Sequence, residues 1–488
     1  FNFEAFRKDY LSTTVDQLFA GSSIGMTNTG NSEEGGRMGL VGRVKYDYAS
    51  RYYIEGSFRY DGSDNFAPGH RWGFFPSVAL AWDITEESFF KNLELKNVNL
   101  LKLRGSYGQT GTESGVNRFG YLSTYSLVEN AICIGGNLYS GFNEGALVSP
   151  ELLSWYTRDS YNYGLDYAFF QHRLKGSVDY FFYITKGGLM SPADRYITPL
   201  GTALPQIKSD SEHRREGFEV SARWSDKIGS DFNYEIGTNM TYFNNLYVKN
   251  VSESLSSLMN PYQRGTHQTD YYGLLLVDNG LYQSVEQVLG SPRRPESTET
   301  KLGDIVYQDI NGDGKVNSED KVRYGMPTSP HFTYGVDFLL SYKGFSLSGL
   351  FYGTGKRHMM FGVNSMKAEA QYVKNEYQLD YWTAENTDAT FPRLSLAAGV
   401  NGENNRIEST FYLRNASFFR LKNLTLAYDL KYKLLKNVKW LTACRVNLTG
   451  SNLFTISGVS DYFDPETTST NGGYPVSRIY SFGLTVGF

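Results

Sequence analysis

Residues 309–320, DINGDGKVNSED, have the spacing of a calcium-binding loop. In such a loop, oxygen ligands come from positions 1, 3, 5, 7, 9 and 12, and a glycine at position 6 makes the sharp turn. This stretch supplies an oxygen donor at each ligand position and a glycine at the turn. The predicted ligands are Asp309, Asn311, Asp313, the Lys315 carbonyl, Asn317 and Asp320.

Two features depart from the usual loop. Position 12 is Asp320 where a glutamate is usual, so the carboxylate reaches less far, and no recognisable helix flanks the stretch. We therefore expect a weak, structural Ca²⁺ site that stiffens a loop, because sites of about millimolar affinity suffice outside the cell. The alternative is a glycine-rich acidic turn that holds no ion.

No other motif predicts catalysis. GSSIG at 21–25 matches the nucleophile elbow around Ser23, but a polar stretch follows it where the elbow requires a helix. HExxH and phosphate-binding motifs do not occur. Cys133 and Cys444 lie far apart and form no CxxC pair. The sequence therefore predicts a protein that is not an enzyme.

The composition indicates a membrane β-barrel. The chain has 488 residues, of which 16% are aromatic, yet its mean hydropathy is negative. Such a balance is typical of strands that alternate apolar and polar residues. No run of 18 apolar residues occurs, which argues against a membrane-spanning helix. The first ten residues do not resemble a signal peptide, so we expect export to need a segment outside this sequence. The net charge of −4 predicts no nucleic-acid partner.

Apolar and polar residues alternate with a period of two. In 172–183, Val178 and Tyr180 fall on one face and Ser177 and Asp179 on the other. A soluble β-sandwich alternates in the same way. We favour a barrel because the strands run about ten residues, as a tilted transmembrane strand requires, and because their apolar faces end in aromatic residues.

Connections that alternate between short and long predict the orientation. Outer-membrane barrels have short periplasmic turns and long external loops. We expect long extracellular loops at 111–153, 186–214, 245–330 and 356–409, and a periplasmic C-terminus. The predicted strands lie near 37–48, 51–63, 72–83, 100–110, 154–169, 173–185, 215–225, 231–244, 331–342, 345–355, 410–428, 440–454 and 477–488, with a partial strand near 3–10.

The last strand, RIYSFGLTVGF, ends in Phe488 after an alternating apolar row. This ending is similar to the signal by which outer-membrane barrels are delivered for assembly. Four longer stretches resemble the SusC/RagA family of TonB-dependent transporters from Bacteroidetes. They are RYYIEGSFRYDGSDNFAPGHRWGFFPSVALAWDITEESFF (51–90), LKLRGSYGQTG (101–111), KLGDIVYQDINGDGKVNSEDKVRYGMPTSPHFTYGVDF (301–338) and FYLRNASFFRLKNLTLAYDL (411–430).

The resemblance implies a bacterial outer-membrane antiparallel β-barrel of about 22 strands whose lumen holds a plug. With about 14 strands expected here, residues 1–488 look like the C-terminal part of such a barrel, without the plug domain. The resemblance also implies a SusD-like surface lipoprotein as lid. Energy would come from TonB, ExbB and ExbD, which act through the plug.

Two groups of side chains are candidates for the transport path. Aromatic residues in the loops could stack on a substrate or pack the loops together, and basic residues of the wall could line the lumen or pair with the plug. The aromatic candidates are Tyr121, Tyr125, Tyr139, Tyr271 and Tyr272. The basic candidates are Arg43, Lys45, Arg59, Lys102 and Arg104.

The leading functional hypothesis is therefore TonB-dependent import of a large nutrient, an oligosaccharide or an oligopeptide. The alternative is a scaffold or adhesin whose loops are anchored by the barrel, or a passive porin with binding loops. A plug domain with a TonB box would favour import, whereas a barrel without a plug would favour the alternatives.

Overall fold

The computed structural model describes residues 2–10, 14, 17–31, 34–145, 153–190, 207–251, 258–263, 271–297, 299–360, 379–394, 404–459, 463–466 and 476–488. Within these residues, no helix has the length and apolar character needed to cross a membrane.

Thirteen strands form one antiparallel sheet in which each strand pairs with the next along the chain. The first and last strands have one neighbour each among the described residues. We number the strands of this wall along the chain: β1 (Arg37–Tyr48), β2 (Tyr52–Ser63), β3 (Trp72–Asp83), β4 (Val98–Thr112), β5 (Tyr156–Phe169), β6 (Leu174–Lys186), β7 (Glu212–Ile228), β8 (Phe232–Lys249), β9 (Phe332–Tyr342), β10 (Phe345–Gly355), β11 (Phe418–Asp429), β12 (Ala443–Ser457) and β13 (Ile479–Gly487).

The predicted strand pattern is confirmed, with two local differences. The segment near 3–10 does not join the wall, because Asn2–Phe6 pairs with the nearby strand Thr27–Asn31 in a separate sheet. The prediction for 410–428 was too long. Leu413–Asn415 pairs outside the wall with His358–Met360, and β11 begins only at Phe418.

The connections divide the wall into a short-turn end and a long-loop end. Residues 343–344 join β9 to β10 as a two-residue hairpin turn in which Lys343 and Gly344 both have positive φ, 45° and 87°. Residues 49–51, 170–173 and 229–231 also make short turns at this end. Longer connections, 84–97 and 430–442, complete it.

Most connections at the other end are long. They span 113–155, 187–211, 250–331, 356–417 and 458–478, and 64–71 is the shorter exception. This agrees with the predicted alternation. Parts of each long connection lie outside the described residues.

The two faces of the wall differ as the period of two predicts. On β6, Val178 and Tyr180 are each 41% exposed on the outer face, whereas Asp179 between them is buried on the inner face. Aromatic rings cluster on the outer face near both ends. Tyr161 stacks on Phe182 (4.6 Å between centroids) towards the long loops, and Phe345 packs on Tyr428 (4.3 Å) at the short turns. These clusters match the aromatic girdles of a membrane barrel.

The long connections contain a hydrophobic core of their own, separate from the wall. Side chains from 271–326, 356–360, 404–417 and 459 pack together in it, and we call this unit the loop core. Its buried members are Leu276, Leu281, Ile305, Tyr307, Val316, Met359, Tyr412, Ala416 and Val459.

Candidate functional site

The inner face of the wall carries the predicted basic residues, and each contacts the wall itself. Arg43 Nε and Lys45 Nζ lie 2.6 Å and 3.3 Å from the carboxylate of Glu55. Arg59 pairs with Asp61 at 2.9 Å. The Lys102 ammonium lies 3.9 Å from the centre of the Tyr53 ring. The first strands therefore neutralise much of their own charge along the lumen.

Arg104 forms a charged rung across three strands. It donates two 2.8 Å hydrogen bonds to Asp166 on β5 and a third, at 3.1 Å, to Asp179 on β6. Its path crosses Gly164, which is in register with both Arg104 and Asp179. A Cβ at Gly164 would lie 2.5 Å from Asp179 Oδ1 and 2.7 Å from Arg104 Cζ. The glycine therefore leaves the space that the guanidinium occupies.

Arg223 repeats this arrangement three strands further on. It donates to Glu235 on β8 and, at 3.1 Å, to Asp337 on β9. Gly237 lies in register between Arg223 and Asp337. A Cβ there would lie 2.6 Å from Asp337 Oδ1. In both places, the arginine side chain passes over a glycine on the neighbouring strand and binds an acidic residue on the strand beyond it.

Sequence reasoning found Arg104 but not Arg223, and it found none of the acidic partners. The partners are separated from their arginines by up to 114 residues, so only the strand register brings them together. A sequence signal could have revealed them. In both rungs, three successive strands carry an arginine, a glycine and an acidic residue at the same inward-facing level.

A buried ion cluster joins the loops to the wall at the long-loop end. Arg420, 2% exposed, donates to Asp464 at 2.8 Å, to Glu466, and to the Thr455 hydroxyl at 2.8 Å. Arg357 is also buried nearby, and burial lowers the pKa of its guanidinium. Because a buried cation is costly without partners, the two carboxylates fix the segment 463–466 against β11.

The loop core contains a second buried ion pair. Asp304 is fully buried and pairs with Arg393 at 2.6 Å. It also accepts hydrogen bonds from Asn405 Nδ2 and from the Lys301 N–H, both at 2.8 Å. These contacts connect three separate parts of the long connections. They make the loop core one packed unit, because a fully satisfied buried carboxylate specifies its neighbours.

The predicted calcium ligands all lie in one compact turn on the edge of the loop core. Asp309 accepts hydrogen bonds from the N–H groups of Gly312 (2.7 Å) and Gly314 (2.8 Å). Asn311 and Asp313 accept from the N–H groups two residues further on, at 3.0 and 2.9 Å. The carboxylate of Asp309 thus caps the turn that Gly314 makes.

Asp320, the predicted ligand at position 12, is fully buried, and its carboxylate binds the backbone. Its oxygens accept from the N–H groups of Ile310 (2.9 Å), Asn311 (3.2 Å) and Asn317 (2.8 Å). Across the described ranges, no three His, Cys, Asp or Glu side chains converge as a metal site. The donor set is chemically suited to Ca²⁺, but Asp320 would have to turn from the backbone to bind it. The calcium site stays a prediction.

The predicted loop aromatics separate into packed and exposed groups. The Arg71 guanidinium donates to the Tyr121 hydroxyl at 3.4 Å, and Arg323 both donates to the Tyr271 hydroxyl (2.5 Å) and lies over its ring. Burial raises the pKa of Tyr272. Tyr125 and Tyr139 are exposed on a hairpin. Three of the five therefore pack the loops, and two remain accessible for a ligand or a partner.

The remaining motif residues do not form a reactive site. Thr27–Asn31, which follows Ser23, is a strand, so the geometry of a nucleophile elbow does not form. Cys133 is exposed on the hairpin and Cys444 is buried in the wall.

An apolar outer face between two aromatic girdles, a charge-paired inner face and packed loops at one end define a membrane-spanning antiparallel β-barrel wall. Residues 2–453 match the family described as TonB dependent receptor-like, beta-barrel, and the chain belongs to this family.

Relatives agree with this assignment, and a solved structure has a similar fold. The chain is 28% identical to the TonB-dependent receptor SusC of Bacteroides thetaiotaomicron, over 92% of this chain and 43% of SusC. It is 27% identical to TonB-dependent receptor P3 of Formosa agariphila, over 96% of this chain and 47% of P3. The chain therefore spans less than half the length of these relatives. The fold matches the RagAB peptide importer in its open-open state with a TM-score of 0.76, at 22% identity, over 99% of this chain and 50% of that one.

Proposed function

We propose that this chain is part of a TonB-dependent importer that carries a large nutrient across the bacterial outer membrane. The observation that carries the proposal is the inner face. Its rungs, Arg104 with Asp166 and Asp179 and Arg223 with Glu235 and Asp337, each set one guanidinium against two carboxylates and make the lining polar. Such a lining is typical of outer-membrane barrels, whose polar interior forms a water-filled channel or holds a plug.

The long-loop end is proposed to face the exterior and the short-turn end the periplasm. Barrels of this class have this asymmetry, and the C-terminus after β13 then lies on the periplasmic side. The loop core would therefore be extracellular, at the entrance to the lumen. Arg420 and its two carboxylates would hold the entrance to the wall.

A SusD-like lipoprotein is the proposed partner at this entrance. The strands Tyr125–Ile134 and Asn137–Glu144 form a hairpin that exposes several large apolar side chains. Leu127 and Phe142, which face each other across it, are 64% and 79% exposed. An apolar surface of this kind outside the membrane is typical of a protein interface.

The proposed cargo is an oligosaccharide or an oligopeptide. The exposed rings of Tyr125 and Tyr139 could stack on either. Energy would come from TonB with ExbB and ExbD, through a plug domain of the whole protein. We propose no covalent chemistry, because the transporter only has to bind its cargo and then release it when the plug moves.

The test is uptake by cells that carry the full-length gene, its deletion, or the deletion complemented with a plug variant that cannot contact TonB. Candidate glycans and peptides are supplied singly. Import predicts that growth on one of them needs both the intact gene and the TonB contact. Uptake that persists with the plug variant indicates a porin. Normal growth of the deletion strain on every candidate, with loss of surface adhesion, indicates a scaffold.

A further inference from the structure

The connection between β11 and β12 at the short-turn end has an unusual composition. Residues 430–442, LKYKLLKNVKWLT, contain four lysines and no acidic residue. The other long connection at this end, 84–97, contains two lysines together with Glu86, Glu87 and Glu94. Of the two longer connections at this end, only 430–442 is therefore strongly basic. The arginines and lysines of the short turns each lie close to a carboxylate: Arg51 at 3.9 Å from Glu87, Arg173 at 3.0 Å from Asp226 and Lys343 at 3.6 Å from Asp231.

One of its four lysines stabilises the turn and the other three are exposed. Lys431 Nζ donates to the Val438 carbonyl at 2.6 Å and to the Leu441 carbonyl. The Leu435 N–H donates to the Leu430 carbonyl at 2.8 Å. The three exposed lysines form no ion pair within the part of the chain that the structure describes. They are Lys433, Lys436 and Lys439.

This connection lies against the outer face of the wall. The Trp440 ring stacks on Phe488, with centroids 5.9 Å apart and an interplanar angle of 9°. Phe488 follows the exposed apolar row of β13, in which Phe482 and Leu484 face outward. Trp440 and Leu434 are 67% and 68% exposed. The aromatic pair therefore sits where the lipid-facing surface meets the short-turn end.

We infer that residues 430–442 form an interfacial anchor that binds anionic phospholipid headgroups of the adjacent leaflet. This inference rests on the membrane placement of the wall in the proposed function. Tryptophan and phenylalanine at the end of a lipid-facing row lie at headgroup depth. There, the three lysine ammonium groups meet the phosphates of the headgroups. A protein partner is less favoured, because it would have to displace lipid from the row that ends at Phe488.

The expected effect is large because the lysines act together. Each lysine near an anionic membrane surface strengthens binding about fivefold, so three strengthen it about a hundredfold. The attraction is electrostatic, so added salt should weaken it within a Debye length of the surface. Zwitterionic headgroups, which carry no net charge, should bind with no such dependence.

Native mass spectrometry of the purified full-length protein in a nonionic detergent tests the inference. Phosphatidylglycerol or phosphatidylethanolamine is added, and the bound lipids are counted. The test variant carries Lys433→Gln, Lys436→Gln and Lys439→Gln. The control has the same change of charge at the same end of the wall, through Lys91→Gln, Lys96→Gln and Lys227→Gln.

The inference predicts that the test variant binds phosphatidylglycerol about a hundredfold more weakly than the control and the unmodified protein. Phosphatidylethanolamine binding should stay unchanged. If the triple variant does not fold, each single substitution should still weaken binding about fivefold. Equal phosphatidylglycerol binding by test and control variants would overturn the inference. Lipid binding is measured without any uptake, so the result can be interpreted even if the proposed import fails. Normal import together with unchanged lipid binding would refute only the lipid anchor at 430–442.

Discussion

Removing Arg420 should release the segment 463–466 from the wall. Its guanidinium is 2% exposed and bonds both Asp464 and Glu466. Breaking a buried pair costs about 3–5 kcal/mol, because the partner charge stays buried. Glu466 is 30% exposed and can be rehydrated, so we take the lower limit, about 3 kcal/mol.

Hydrogen exchange in the full-length protein measures this effect directly. A loss of about 3 kcal/mol raises the exchange rate of a locally opening segment about 100-fold. Arg420→Ala should therefore accelerate exchange in 463–466 and leave β6 unchanged. The matched control is Lys422→Ala, which removes a cation that lies 5.0 Å from the centre of the Tyr352 ring and costs about 1 kcal/mol or less. Equal exchange in 463–466 for the two variants would show that Arg420 does not hold this segment against the wall.

Three further predictions concern the wall, the calcium loop and pH. Gly164→Ala places a Cβ against Arg104 and should lower the temperature at which the barrel unfolds. Unfolding is measured as the loss of the anomalous mobility that the folded barrel has in gel electrophoresis. Gly56→Ala, whose Cβ would meet nothing within 4 Å, should leave this temperature unchanged. Millimolar Ca²⁺ should protect the loop core from proteolysis, and Asp309→Ala should remove this protection. If the unmodified protein is cleaved equally with and without Ca²⁺, the turn binds no ion. His358 Nδ1 accepts a hydrogen bond from the Met326 N–H, and burial lowers the pKa of its imidazole. The unfolded state therefore binds more protons than the folded state at low pH. The loop core should lose stability as pH falls below about 6.5. Proteolysis at pH 7.5 and 5.0 measures this loss, which His358→Gln should reduce; an unchanged pH difference in that variant would exclude His358 as the cause.

The sequence was sufficient to predict the wall because its physical signal is local. Alternation along 172–183 needs only the period of a strand, and the pair Lys343–Gly344 needs only the chemistry of a tight turn. The prediction that the segment near 3–10 belongs to the barrel was wrong, because a strand pattern does not specify which strand it pairs with. Asn2–Phe6 pairs with the strand nearest along the chain and not with the wall.

The site was less predictable because it depends on register and on packing between distant loops. Arg223 meets Asp337 only after β7, β8 and β9 pair in one particular register. Asp320 was assigned from spacing alone, but its carboxylate is turned towards three backbone N–H groups. Spacing identifies which oxygen atoms are near one another, whereas the direction in which each points depends on the folded turn.

In a membrane-spanning wall, one face of every strand contacts lipid and the other faces the lumen. Spin labels placed singly at 176–183 of β6 test this arrangement, in the full-length protein in lipid bilayers with its native cysteines, Cys133 and Cys444 among them, replaced. Oxygen accessibility should rise and fall with a period of two and be highest at Val178, Tyr180 and Phe182, because molecular oxygen concentrates in lipid. Accessibility without this period, or with its maxima at Ser177 and Asp179, would show that the apolar face of β6 does not contact lipid.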